Sequence, residues 1–149
     1  MVTISLCTIF RDEEEFLPEF LDLLEDSVDE LVLVDTGSVD NSLKIIKEKG
    51  HAIHYFEWIN HFSKARNYCL SLATSDWILM LDVDDRIELE NLQLLKAKIQ
   101  NTDRDAIYVP YISITNKDWR NFKHNSTAIQ NRLVAFRNHR GFHYRNPVH

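Results

Sequence analysis

Short apolar, β-branched runs alternate with amphipathic helical patterns through the first two thirds of the 149-residue chain, and this alternation restricts the fold more than any other feature. VTISLCTI (residues 2–9), ELVLVD (30–35), AIHYF (52–56), WILML (77–81) and AIYVPYISI (106–114) read as strands. Their mostly unbroken apolar character suits strands covered on both faces. Residues 13–26 read as a helix once Pro18 is placed in its first turn, where a missing N–H costs nothing. Residues 37–50 read as a second, with Ser38 at the N-cap, Asp40 in the first turn, Gly50 past the end, and Val39, Leu43 and Ile46 on one face. The third is expected to be capped by Ser63, with a core-facing stripe of Ala65, Tyr68, Cys69, Leu72 and Ala73. Residues 88–100 give a fourth helix, and Pro110 marks the last of these strands as an edge or a bulge.

Strands alternating with helices predict an α/β fold: an open, mostly parallel (mixed) sheet with helices on both faces. After residue 115 the periodicity stops. Residues 116–127 read as a polar, aromatic loop, and 129–149 as a strand, a turn near 138–141 and a second short strand. A length of 149 residues suits one domain, and only three glycines and three prolines argue against long linkers. The net charge of −6 excludes a protein that coats nucleic acid, which needs clustered Lys and Arg. Cys7 and Cys69 lie in apolar contexts without CxxC spacing, as reduced buried thiols do. No apolar run reaches the ~18–20 residues of a membrane span. The first ten residues lack a basic leader, so a cytoplasmic location is expected, with peripheral membrane contact left open.

In such a sheet ligands bind outside the carboxyl ends of the strands. Charged and polar residues gather there: Phe10, Arg11, Asp12 and Glu13 after the first strand, Asp35 after the second, Lys64 and Arg66 after the third, and Asp82, Asp84 and Asp85 after the fourth. An extended backbone past Leu81 would point Asp82 and Asp84 the same way. Paired carboxylates disfavour joint ionisation unless a cation intervenes, and Mg²⁺ or Mn²⁺ held by one or two carboxylates plus substrate phosphates suits them. The bland alternative is a solvated turn leading into the next helix. Lys64 and Arg66 near a helix amino terminus could meet a phosphate, or pair with nearby acids. Asp35 could accept from a ribose or a base, or cap its own turn. The spacing around His139, His143 and His149 fits no metal signature, and GxSxG, Walker-type and GxGxxG motifs are absent.

The runs TIFRDEEEFLPEFLDLL, ELVLVDTGSVDNSLKII, FSKARNYCL and DWILMLDVDD stand in the order and approximate spacing of a family 2 glycosyltransferase of the GT-A fold. The chain resembles the nucleotide-sugar-binding half of that family over about residues 2–87, and NRLVAFRNHRGFHYRNPVH resembles its acceptor-side strands. The resemblance implies one GT-A-like domain over 1–149, with a donor half to about residue 87 and the start of an acceptor half beyond it. It implies metal-dependent, inverting transfer from a nucleoside diphosphate sugar, UDP-linked by expectation, to a glycan, lipid or protein hydroxyl. Thr8 and Phe10 would line the nucleobase pocket with Arg11 beside them, and Asp35 would bind base or ribose. Lys64 and Arg66 would approach the diphosphate, and Asp82 and Asp84 would be the DxD pair that holds Mn²⁺ or Mg²⁺, with Asp84 the better placed of the two for direct contact. Asp12-Glu13 replaces the Asn-Glu of many members. Members often continue beyond NPVH with an acidic residue, so the chain is expected to be truncated and the catalytic base is unassigned; Glu88, Asp105 and Asp118 carry no supporting motif. A receiver-like domain would need a lysine ending the fifth strand, and a nucleotidyltransferase a glycine-rich basic loop after the first; neither is present. A nucleotidyltransferase using the same aspartates, despite the missing loop, and a non-catalytic nucleotide-sugar-binding module are the alternatives kept.

Overall fold

A computed structural model describes residues 1–112 and 129–147. In chain order the elements are β1 (Ile4–Phe10), α1 (Leu17–Leu24) with a 3₁₀ turn at Glu25–Ser27, β2 (Glu30–Asp35), α2 (Ser42–Glu48), β3 (His54–Tyr55), α3 (Phe62–Leu72), β4 (Trp77–Met80), α4 (Leu89–Asn101), β5 (Ala106–Ile112) and β6 (Ile129–Arg137). The strands form a sheet ordered β3-β2-β1-β4-β6-β5. β3, β2, β1 and β4 are parallel, while β6 runs antiparallel to both β4 and β5. The sheet is therefore mixed, as the alternation predicts. Pro110 sits on the edge strand β5, where its missing N–H breaks no ladder on the open side, and a register shift falls between Ile107 and Tyr108.

Strand alternation divides the core. Ile4, Leu6 and Phe10 of β1 pack with Leu17, Phe20, Ile46, Leu92 and Ile99, which places α1, α2 and α4 on one face. Cys7, Val32, Val34, Ile78 and Met80 pack on the other with Cys69, Leu70 and Ala73 of α3 and its exit. Both cysteines are free and buried. β1 and β4, buried on both faces between neighbours, are the rigid centre from which the adjoining loops project.

Local expectations fail where tertiary bonds replace local caps. α2 begins at Ser42, not near residue 38, because the Gly37 and Ser38 N–H groups go to Asp35 and those of residues 39–41 to Asp12 and Glu14 of another loop. Val39, expected on the core face, is 88% exposed. The N-cap of α3 is His61, whose Nδ1 accepts from the Lys64 N–H at 3.3 Å; Ser63 lies inside the helix and is buried. The second strand expected after the turn is not formed: residues 141–147 carry no strand and instead bond to α3. The expected loop at 116–127, the last two residues of the expected 106–114 strand, Asp118 and His149 lie outside the described residues.

Candidate active site

From β1 the chain goes to β2 and β3 on one side, and then returns to place β4 on the other side of β1. The carboxyl ends of β1 and β4 therefore flank the switch point of the sheet, the crevice in which open α/β folds bind ligands. The acidic run begins two residues after β4, and the Arg11–Glu13 loop leaves the end of β1.

The backbone does not remain extended past Leu81. The Asp85 N–H donates to the Asp82 carbonyl at 3.0 Å, closing a turn, and the Asp82 N–H donates to Asp85 Oδ2 at 2.8 Å. Val83 is buried, which anchors the turn, while Asp84 is exposed. Asp82 and Asp84 are thus not a parallel pair, in contrast to the extended-strand expectation. Arg66 Nη2 lies 3.0 and 3.3 Å from the two carboxylate oxygens of Asp82, and Arg132 Nη2 lies 2.8 Å from Oδ2. Arg132 Nη1 also donates to Asp85 at 3.0 Å. Asp85 is buried, and burial raises its pKa despite the Asp82 N–H and Arg132, with Asp82 and Asp84 adding like charge. Burial works against the charge of Arg132, but Asp85 and Asp82 outweigh it and hold the guanidinium protonated.

Arg132 was not singled out by sequence reasoning. β4 and β6 pair with Leu79 opposite Ala135, so three further steps bring Asp82 level with Arg132. The arginine also lies over the ring of Tyr111, 5.2 Å from its centroid, a diagonal neighbour on β5. The one available signal was a charged residue directly before the apolar run LVAF of a strand.

A second group of carboxylates interlocks the loops after β1 and β2. Asp12 has φ of 55°, a left-handed conformation that Asp tolerates, and its Oδ1 accepts from the Val39 and Asp40 N–H groups at 2.7 and 3.3 Å. The Asp12 and Glu13 N–H groups donate to Ser38 Oγ and Ser42 Oγ, while Glu14 accepts from Asn41. Glu13 is half-buried and its pKa is raised to about 7, first by burial and then by the charges of Asp84, Asp40 and Asp82.

The other candidates are placed as follows. Thr8 is fully buried and Phe10 is 3% exposed, packed in the core against α1. Thr8 and Phe10 alternate with Ile9 and point to the face covered by α1, α2 and α4, so both are packed in the core and not open at the edge. Arg11 is exposed, with Nε 3.7 Å from Asp12. Asp35 is buried and caps its own turn, accepting from the Gly37 N–H at 3.1 Å and the Ser38 N–H at 2.9 Å. Lys64 is exposed at the first turn of α3, and Arg66 beside it is 8% exposed against Asp82. Glu88 precedes α4 and is exposed. Asp105 lies by Arg137 and Arg140, 3.5 and 3.6 Å away, at the opposite end of the sheet.

Among the described residues, no group of three His, Cys, Asp or Glu side chains could hold a metal ion. The donor set fits a different arrangement, an ion held by one or two carboxylates and the oxygens of a diphosphate. Exposed Asp84 is a carboxylate open to such an ion, and the half-buried Glu13 beside it is raised first by burial and then by the charges of Asp84, Asp40 and Asp82.

Residues 5–148 match the family described as Glycosyl transferase family 2. The chain belongs to this family. A TPR repeat-containing protein of Synechococcus elongatus is 41% identical over 109 residues, 73% of this chain and 27% of that protein. Glycosyltransferase SunS of Bacillus phage SPbeta is 33% identical over 119 residues, covering 74% of this chain and 27% of its own length. This family 2 chain thus spans about a quarter of the curated relatives it matches. Among solved structures, S. aureus TarS 1–349 in complex with UDP-GlcNAc aligns with a TM-score of 0.58 at 25% identity, covering 70% of this chain and 33% of that one. Glucosyl-3-phosphoglycerate synthase from Mycobacterium tuberculosis, in complex with Mn²⁺ and UDP-Glc, aligns at 0.57 with 17% identity over 68% of this chain and 40% of that one. The fold is that of GT-A glycosyltransferases. No helix among the described residues is long and apolar enough to cross a membrane.

Proposed function

We propose that the chain is the donor-binding part of a glycosyltransferase that moves a sugar from a nucleoside diphosphate, uridine-linked, to an acceptor hydroxyl with inversion. The observation that carries this reading is the placing of Asp82, Asp84 and Asp85 at the switch point, in a chain of this family. The UDP-GlcNAc complex of S. aureus TarS supports the uridine preference. Asp84, exposed beyond the turn, is the residue assigned to Mn²⁺ or Mg²⁺. A divalent ion there would neutralise charge developing on the leaving diphosphate. Asp82, held between Arg66 and Arg132, is assigned to orienting the donor, while Arg66 and Arg132 keep the acidic edge from repelling a diphosphate. Exposed Lys64 is assigned to the diphosphate and Arg11 to the rim; Thr8, Phe10 and Asp35 fix the backbone on which the nucleotide rests. The acceptor and the general base stay unassigned.

Thermal denaturation with UDP sugars, with and without Mn²⁺, tests the reading. At ligand about 100-fold above Kd, stabilisation of ~2.7 kcal/mol is expected. That gain should raise Tm by several degrees in a chain of this size. Asp84→Ala should remove the metal-dependent part of the shift. No stabilisation by any nucleoside diphosphate, with or without metal, would overturn it.

A further inference from the structure

Residues 141–147 fold back along the first two turns of α3, and side chains of that helix hold their main chain. Asn67 makes a closed pair with Tyr144: its Nδ2 donates to the Tyr144 carbonyl at 2.8 Å, and its Oδ1 accepts from the Tyr144 N–H at 2.8 Å. One turn earlier, Ser63 Oγ donates to the Asn146 carbonyl. The Phe62 N–H, at the first position of α3, donates to the Pro147 carbonyl at 2.9 Å. The ring of Tyr144 then lies against the Arg66 guanidinium, with Cζ 5.3 Å from its centroid, and the Phe62 ring lies 6.0 Å from the same atom. Arg66 in turn holds both oxygens of Asp82.

These contacts form one continuous path from Asn67 through Tyr144 and Arg66 to Asp82. The amide is suited to the first link because it donates and accepts at once, matching both polar atoms of a single residue's main chain. A carboxylate in its place would set an acceptor against the Tyr144 carbonyl. The long Arg66 side chain has many rotamers, and an aromatic ring fixed at its flank removes most of them.

We propose that Asn67 is a positioning residue of the donor site: it fixes the Tyr144 backbone, so that the Tyr144 ring orients Arg66 and Arg66 orients the Asp82 carboxylate. The role in donor binding rests on the reading of the previous section; the positioning of Arg66 does not, so each can fail separately.

The test uses Asn67→Asp, Tyr144→Ala and Tyr144→Phe in the whole chain, well below each variant's Tm. Arg66 is followed by the ¹⁵N–¹H resonances of its guanidinium, and donor binding by UDP titration with Mn²⁺. In the parent chain Arg66 is expected to show slowed guanidinium rotation. Asn67→Asp and Tyr144→Ala should release it, and the double variant should add little, because both cut one path. Tyr144→Phe, which keeps the ring, should restore the slowed rotation. UDP affinity should fall about tenfold in the first two variants, as the loss of one oriented hydrogen-bonded contact would give. Unchanged Arg66 resonances in folded Asn67→Asp overturn the proposal whether or not UDP binds. Released Arg66 with unaltered UDP affinity overturns the link to the donor site. A parent chain that binds no UDP but shows the Arg66 response sinks the donor reading while the positioning contact stands.

Discussion

At the amino-terminal edge of the sheet, Glu30 accepts from Ser5 Oγ and from the N–H and hydroxyl of Thr74, Asp76 accepts from the Thr3 N–H and hydroxyl, and Glu25 meets His51 and Lys49. Each has a lowered pKa; for Glu30 burial opposes the charge, but its donors outweigh burial. At the carboxyl edge the sign reverses. Burial raises Asp85 and Glu13, and neighbouring carboxylates add to it. Asp40 is the exception there: burial opposes its charge, but donors from Ser42 and Glu14 lower its pKa, and its role is to cap α2. Acids matched to donors are held charged at the first edge, whereas at the second burial comes first and like charges add to it.

The contrast can be broken by neutralising one acid at each end. Glu30→Ala should show the largest effect. It strands the buried Ser5 hydroxyl and the Thr74 N–H, a loss of ~1–3 kcal/mol by chemical denaturation. Because the folded-state pKa of Glu30 is depressed, its contribution is present above the ordinary value of 4.5 and lost as pH falls below it. The gap between variant and parent should therefore close in acid. A neutral effect of Glu30→Ala at pH 7 would erase the distinction between the two edges.

Glu13→Gln should act the other way. With a folded-state pKa near 7 against an ordinary 4.5, the native chain binds more protons than the unfolded one between those values, so stability falls as pH rises through that window. Removing the charge should leave Tm unchanged near pH 4.5 and raise stability at pH 7.5, on the order of 1 kcal/mol after discounting for solvent screening. A pH-independent Tm difference would count against a raised folded-state pKa of Glu13 as the cause. Asp84→Asn should have the smallest effect on stability, within ~0.5 kcal/mol, since the side chain is exposed. A large loss of stability in Asp84→Asn would show that this acid belongs with the structural set.

The sheet and its helices were legible because their signals are local. The run WILML is apolar throughout, and it proved to be a strand buried on both faces beside β1. The same local reading brought Asp82, Asp84 and Asp85 to one edge with Asp35, Lys64 and Arg66. It failed at Ser38 and Ser63 as caps, because α2 starts four residues later with Asp40 accepting from the Ser42 N–H, and a preceding histidine caps α3. Thr8 and Phe10, which the family resemblance assigns to the nucleobase pocket, are buried along the pleat of β1.

The sequence by itself determined the α/β alternation, the edge on which the acids collect and the family to which the chain belongs. Only the tertiary structure decided which charges meet there. Arg132 reaches Asp82 across 50 residues of sequence, and Asn67 reaches Tyr144 across 77. Helical and strand periods encode which way a side chain faces over a few residues. Partners from an antiparallel strand or a returning segment are set by topology and register, which no local period contains.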